Sequence, residues 1–184
     1  YLLMVAVHWI FRHTLPSKVD RWFRGLQLAS SAIFSFSHGA NDAQKTMGII
    51  TSVLVTGGYL QVFAVPWQVK WAAYIAIAAG TMSGGWRIVR TMGARLTRLK
   101  PRGGFCAETA AAISILFPTY LHMPVSTTHV IAGSIAGVGS IHRLKAVRWG
   151  LATNILWAWL MTIPASAAVG ALCMGLIRIL AGKD

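Results

Sequence analysis

Two polar stretches stand inside otherwise apolar sequence, and both carry residue types that bind ions. The first is SHGANDAQKTMG, residues 37–48, which gathers His38, Asn41, Asp42, Gln44 and Lys45 between LASSAIFSF and IITSVLVTGG. The second is PVSTTH, residues 124–129, in which Pro124 precedes the hydroxyl side chains of Ser126, Thr127 and Thr128. Hydroxyls at a helix start suit an oxyanion, because the unpaired backbone N–H groups there carry partial positive charge without any basic side chain.

Acidic residues are scarce. Asp20 lies in a loop and Asp184 at the end, which leaves Asp42 and Glu108 inside apolar segments. An ionisable side chain at bilayer depth costs about 2.5–3.5 kcal/mol on insertion scales, so its default reading is an ion or substrate pathway. Structural roles compete with that reading. Asp42 could cap a helix that starts near Ala43 or pair with Lys45 one turn on. Glu108 could be a first-turn carboxylate at the interface, and the hydroxyls could bond neighbouring backbone. His38 and Asp42 share a helix face at a spacing that suits two metal ligands, but no H-E-x-x-H pattern extends them and two ligands are too few for a catalytic metal. His129 has no identifiable third group to orient it as a base. A membrane enzyme built on His38, Asp42 and His129 is therefore a rival reading, and a non-transporting membrane subunit is another.

Composition specifies the scaffold these residues need. The chain has 184 residues, 55% hydrophobic and 11% charged, with a mean hydropathy of +0.59, whereas soluble domains carry roughly a quarter charged residues. Several apolar runs approach the roughly 20 residues a spanning helix requires, and they are continuous instead of alternating, which argues against a barrel. The net charge of +13 falls mostly in connectors, so a nucleic-acid partner is not implied. Residues 13–25, 87–103 and 141–148 hold the basic clusters and read as cytoplasmic loops, while the uncharged GGYLQVFAVPWQ suits an external turn. Cys106 and Cys173 have apolar neighbours and no metal-ligand spacing, so they read as packing residues.

The coarse pattern is entirely helical. Residues 1–12 make a partial span, and Pro16 is expected to stop a helix within the first basic loop. The stretch 26–57 is long for one span and polar in its middle, which predicts two half-helices broken near Gly39 to Asp42. Residues 67–86 form a span with Gly80 and Gly84 at small-residue spacing, and a short interfacial helix is expected among the arginines that follow. Segments 104–121 and 125–140 meet at an uncharged HMP and have basic flanks on both outer sides, which predicts a re-entrant hairpin. A last helix, 149–177, is expected to kink at Pro164. The first residues, YLLMVAVHWIF, lack signal-peptide features and read as the end of a helix that begins further upstream. The expected fold is thus all-α, a polytopic membrane protein of one transmembrane domain over 1–184, with a broken helix and a re-entrant hairpin. Broken half-helices aimed at the midplane are how secondary transporters hold an anion and its coupling cation.

SHGANDAQKTMGII together with PVSTTHVIAGSIAGVG resembles the PiT family of inorganic phosphate transporters, and WFRGLQLAS and GGFCAET resemble the second repeat of its bacterial members. The resemblance covers essentially the whole chain. It implies one half of an inverted-repeat transporter, whose N-terminal repeat is the partner that this chain lacks. It implies cation-coupled symport of inorganic phosphate, with Na⁺ or H⁺ as coupling ion, no other cofactor, no enzymatic activity, and multi-pass residence in the plasma (inner) membrane. By motif, Ser126, Thr127, Thr128 and Asn41 would bind phosphate, with Gln44 and Lys45 in the same motif. Asp42, with Asn41, would bind the cation, and Glu108 would be a second ion or proton site. The lipid bilayer and a second copy of the chain complete the expected partners.

Overall fold

Proline decides where two of the helices begin. The computed structural model describes residues 1–91, 96–97, 99–141 and 147–181. In chain order its helices are α1 (Leu2–Ile10), α2 (Pro16–Thr56), α3 (Trp67–Arg90), α4 (Pro101–Tyr120), α5 (Thr127–Gly139) and α6 (Trp149–Ala181). Pro16 and Pro101 each occupy a first helical position, after Leu15 and Lys100 in extended backbone. A missing N–H is harmless there, because the first N–H groups of a helix have no intrahelical acceptor. The expectation that Pro16 stops a helix is therefore corrected. Most of the supposed loop 13–25 is the first turns of α2.

A second correction concerns α2 itself, which runs for 41 residues without a break at Gly39 to Asp42. One glycine costs a helix only about 1 kcal/mol, and the polar side chains here do not compete for the backbone ladder. Ser37 and Thr51 fold their hydroxyls back onto the carbonyls of Ile33 and Met47, a pattern compatible with continuous helix. The stop comes instead at Gly58, with φ +77°. Tyr59 N–H donates to Leu54 and Gly58 N–H to Val55, a Schellman closure that requires a left-handed residue.

Helices α2 and α4 lie side by side and parallel. Ser30 bonds Glu108 and Asn41 bonds Thr119, and both pairs are 78 positions apart, so the two helices keep register over this length. The α4 side is rich in small residues: Gly104, Ala107, Ala111 and Ala112 are all buried. A Cβ on Gly104 would collide with the Gln27 carboxamide, which is why glycine is needed at this close approach. Phe23 closes the lower end, edge-on to Phe105 at 5.2 Å and to Phe11 at 5.5 Å. Arg102 reaches Asp20 there at 3.5 Å.

After α4 the chain turns back. His122 adopts φ 59° in the turn, and α5 returns so that Val138 lies against Gly103. The two helices make a hairpin whose tip meets α2 at Asn41 and Lys45, about 38 Å along the helix from Pro16 at 1.5 Å per residue. Helix α3 covers the upper part of α2, where Ala43 and Met47 pack on Val69 and Ala73.

Although the sequence reads as one domain, the chain groups into two compact units, Tyr1–Val147 and Arg148–Asp184. The second contains α6, which includes Pro164 and whose segment Trp149–Leu180 is long and apolar enough to cross a membrane. Of the expected basic loops, residues 92–95, 98 and 142–146 lie outside the described residues; where the interfacial helix is expected, residues 87–90 continue α3 and 101–103 begin α4.

Candidate functional site at the hairpin tip

The helical repeat places Asn41 and Lys45 one turn apart, and His38 and Asp42 likewise, so the polar set of α2 forms one stripe. Opposite it stands the irregular backbone of residues 123–126 and the first turn of α5. Asp42 receives donors from both sides. Its Oδ1 accepts from Lys45 Nζ at 3.1 Å and Asn41 Nδ2 at 3.2 Å, and its Oδ2 accepts from Thr127 Oγ1 at 3.2 Å. His38 Nδ1 lies 3.3 Å from Oδ2 but is not aligned for a hydrogen bond. The His38 ring stacks on Phe34, with centroids 6.3 Å apart.

The Val125 carbonyl is the second centre. It accepts from Asn41 Nδ2 at 3.0 Å and from Lys45 Nζ at 2.6 Å. Asn41 thereby uses both amide hydrogens, and its Oδ1 faces the Thr119 hydroxyl at 3.3 Å. That hydroxyl has one hydrogen, and the Ile115 carbonyl at 2.7 Å is its nearer acceptor. Asn41 and Thr127 are buried, at 3% and 5% exposure, whereas the Asp42 and Lys45 side chains are 29% and 38% exposed. The cluster is therefore buried on the side of Asn41 and Thr127 and reached from outside on the side of Asp42 and Lys45.

At the start of α5, Ser126 is the N-cap and accepts from the His129 N–H at 3.4 Å. Its hydroxyl also meets Thr128 Oγ1 at 3.1 Å and the His129 ring. Ser126 and Thr128 are exposed beside the buried Thr127, so this helix end offers hydroxyls and N–H groups to an anion.

The structure thus brings together Asn41, Asp42, Lys45 and Thr127, with Ser126 and Thr128 adjacent. Gln44 is exposed on a different face of α2. Glu108 sits elsewhere: it precedes Thr119 by eleven residues, roughly 16 Å along α4, and accepts a hydrogen bond from Ser30. His129 belongs to the Ser126 cluster and His38 to the Asp42 cluster. Among the described residues no group of three or more His, Cys, Asp or Glu could hold a metal ion. Sequence reasoning missed Thr119 and the Val125 carbonyl. A hydroxyl beside Pro118 at the closing end of α4 was the available signal for the first, whereas a backbone carbonyl leaves none.

Fold and site together define an all-helical membrane protein with a polar cluster of Asn41, Asp42, Lys45 and Thr127 inside its helix packing. Residues 5–170 match the Phosphate transporter family, and the chain belongs to that family. It is 53% identical to a probable low-affinity inorganic phosphate transporter of Rhizobium meliloti (strain 1021), over 94% of this chain and 52% of that protein. It is 39% identical to a protein of the same description from Bacillus subtilis (strain 168), over 98% of this chain and 54% of that one. A solved structure, the sodium-dependent phosphate transporter, superposes with a TM-score of 0.80 at 28% identity, covering 95% of this chain and 46% of the other. The chain spans about half the length of these proteins.

Proposed function

We propose that the chain is one half of a cation-coupled symporter of inorganic phosphate in the plasma membrane, completed by an inverted repeat of similar architecture. The observation that carries this reading is the meeting of Asn41, Asp42 and Lys45, within α2, with Val125 and Thr127 at the tip of the α4–α5 hairpin. A hairpin that ends against the interior of a long helix, short of that helix's end, is suited to re-entrance, with its tip inside the membrane. The descriptions of the relatives support phosphate as the substrate, and that of the solved structure supports a cation-coupled mechanism.

In this reading Ser126, Thr127 and Thr128 hold phosphate with the N–H groups of the first turn of α5, and Asn41 borders both ligands. Gln44 and Lys45 lie on the approach. Asp42 answers to the coupling cation, Na⁺ or H⁺, and Glu108 is a separate second ion or proton site. Coupling follows from electrostatics: phosphate approaches a carboxylate only against repulsion unless a cation offsets it, so each ligand promotes the other's binding.

The test is phosphate uptake by the complete transporter in proteoliposomes under an imposed Na⁺ or proton gradient, with sulfate as competitor. Uptake driven by one of the gradients and resistant to sulfate is the expected result. Correctly inserted protein that takes up no phosphate under either gradient ends the proposal.

A further inference from the structure

The ammonium of Lys45 stands where a small cation would. Its acceptors are Asp42 Oδ1 at 3.1 Å and the Val125 carbonyl at 2.6 Å, a carboxylate and a carbonyl on irregular backbone. Oxygens of this kind are what transporters use to coordinate sodium. The remaining neighbours do not complete a sodium shell. Asn41 turns its N–H₂ toward both Val125 and Asp42 and its oxygen away to Thr119, and Thr127 directs its hydroxyl hydrogen at Asp42 Oδ2. A cation entering from water would meet donors on those sides, and the two best-placed oxygens already carry a positive charge.

The tether matters as much as the position. Lys45 follows Asp42 by three residues on one continuous helix, so the charge is delivered by the chain at no solution concentration. We propose that Lys45 is the resident counter-ion of Asp42, which excludes sodium from this half's site and lets phosphate approach the α5 hydroxyls without a sodium ion at Asp42. The inference rests on the transport reading and narrows the choice of ion left open there. It also separates Lys45 from the phosphate ligands: its role is to set ion selectivity.

The experiment compares the complete, purified transporter with its Lys45→Gln and Lys45→Arg variants, measuring equilibrium binding of radiolabelled sodium and of inorganic phosphate in sodium and in choline medium. Lys45→Gln removes the charge and supplies an amide oxygen, so it should bind one further sodium ion per transporter. Its phosphate affinity should become about tenfold tighter in sodium than in choline, within the usual range for coupled ligands. The parent and Lys45→Arg should show neither change, and adding Asp42→Asn to Lys45→Gln should remove the gained ion. Two results overturn the proposal: a sodium count in Lys45→Gln equal to that of the parent, or phosphate binding weakened equally in both media, which would make Lys45 a phosphate ligand. Should Lys45→Gln fail to fold, Lys45→Met removes the same charge and is judged by the same sodium count. A parent that binds no phosphate refutes the transport reading itself, a result distinct from either.

Discussion

Asp42 is held by donors from two elements, and each contact can be removed singly. Asp42→Asn keeps the shape and deletes the charge, so in the complete transporter coupled uptake should be abolished while the protein still reaches the membrane. Undiminished uptake with unaltered cation dependence would remove Asp42 from the mechanism. Thr127→Val preserves volume and deletes the donor to Oδ2. A hydrogen bond to a charged group contributes about 1.5–3 kcal/mol, and because Thr127 is also a proposed phosphate ligand, half-saturating phosphate should rise about tenfold or more. Thr127→Ser should restore most of it; equal failure of both variants would point to packing instead of the hydroxyl. The polar clusters, Asn41 with Asp42 and Ser126 with Thr128, were legible as residue types. Their partners were not, since Thr119 and the Val125 carbonyl enter only when α4 and its turn are laid against α2.

The helices explain how those side chains come to share one hydrogen-bonded cluster. The sequence pattern suggests that a polar insert in an apolar run must break the helix, yet α2 continues because its side chains alone reach the hairpin and the backbone has no need to unwind. Proline was read as a stop at Pro16 and proves to be a start, since the same residue serves either role depending on which side the helix lies. The α2–α4 register rests on small side chains, and Ala111 is fully buried in it. Ala111→Leu should overpack this seam and lower stability by about 1–3 kcal/mol, visible as a reduced melting temperature in detergent. An unchanged melting temperature would show that the seam yields without cost. Ser126→Ala should remove the α5 cap, a loss of about 1 kcal/mol, and a melting temperature equal to the parent's would show that the cap contributes nothing.

At the scale of the whole molecule, the large apolar residues on its surface are what a membrane protein presents to lipid or to another protein surface. Leu28, Phe36, Ile49 and Trp86 are exposed along α2 and α3, and α6 is exposed nearly throughout. The two cysteines test this. Cys106 is buried and Cys173, on α6, is exposed. If lipid or protein covers α6, a membrane-impermeant maleimide should leave Cys173 unmodified in intact vesicles and modify it after denaturation, as read by mass spectrometry of its peptide. Rapid labelling before denaturation would place that part of α6 in water. Phosphate should also raise the melting temperature of the complete transporter, because a ligand that binds only the native state stabilises it by mass action.

Sequence alone sufficed for the solvent and the residue types: continuous apolar runs demand helices in a bilayer, and the few polar residues within them stand out as candidates for binding. Those properties reside in residue types and their local periodicity. Only the tertiary structure decided that α2 stays whole, that Glu108 stands apart from Asp42, and that the Lys45 ammonium lies on the Val125 carbonyl. The last two depend on which faces meet across 78 or 80 positions of chain, and no local pattern encodes such a distance.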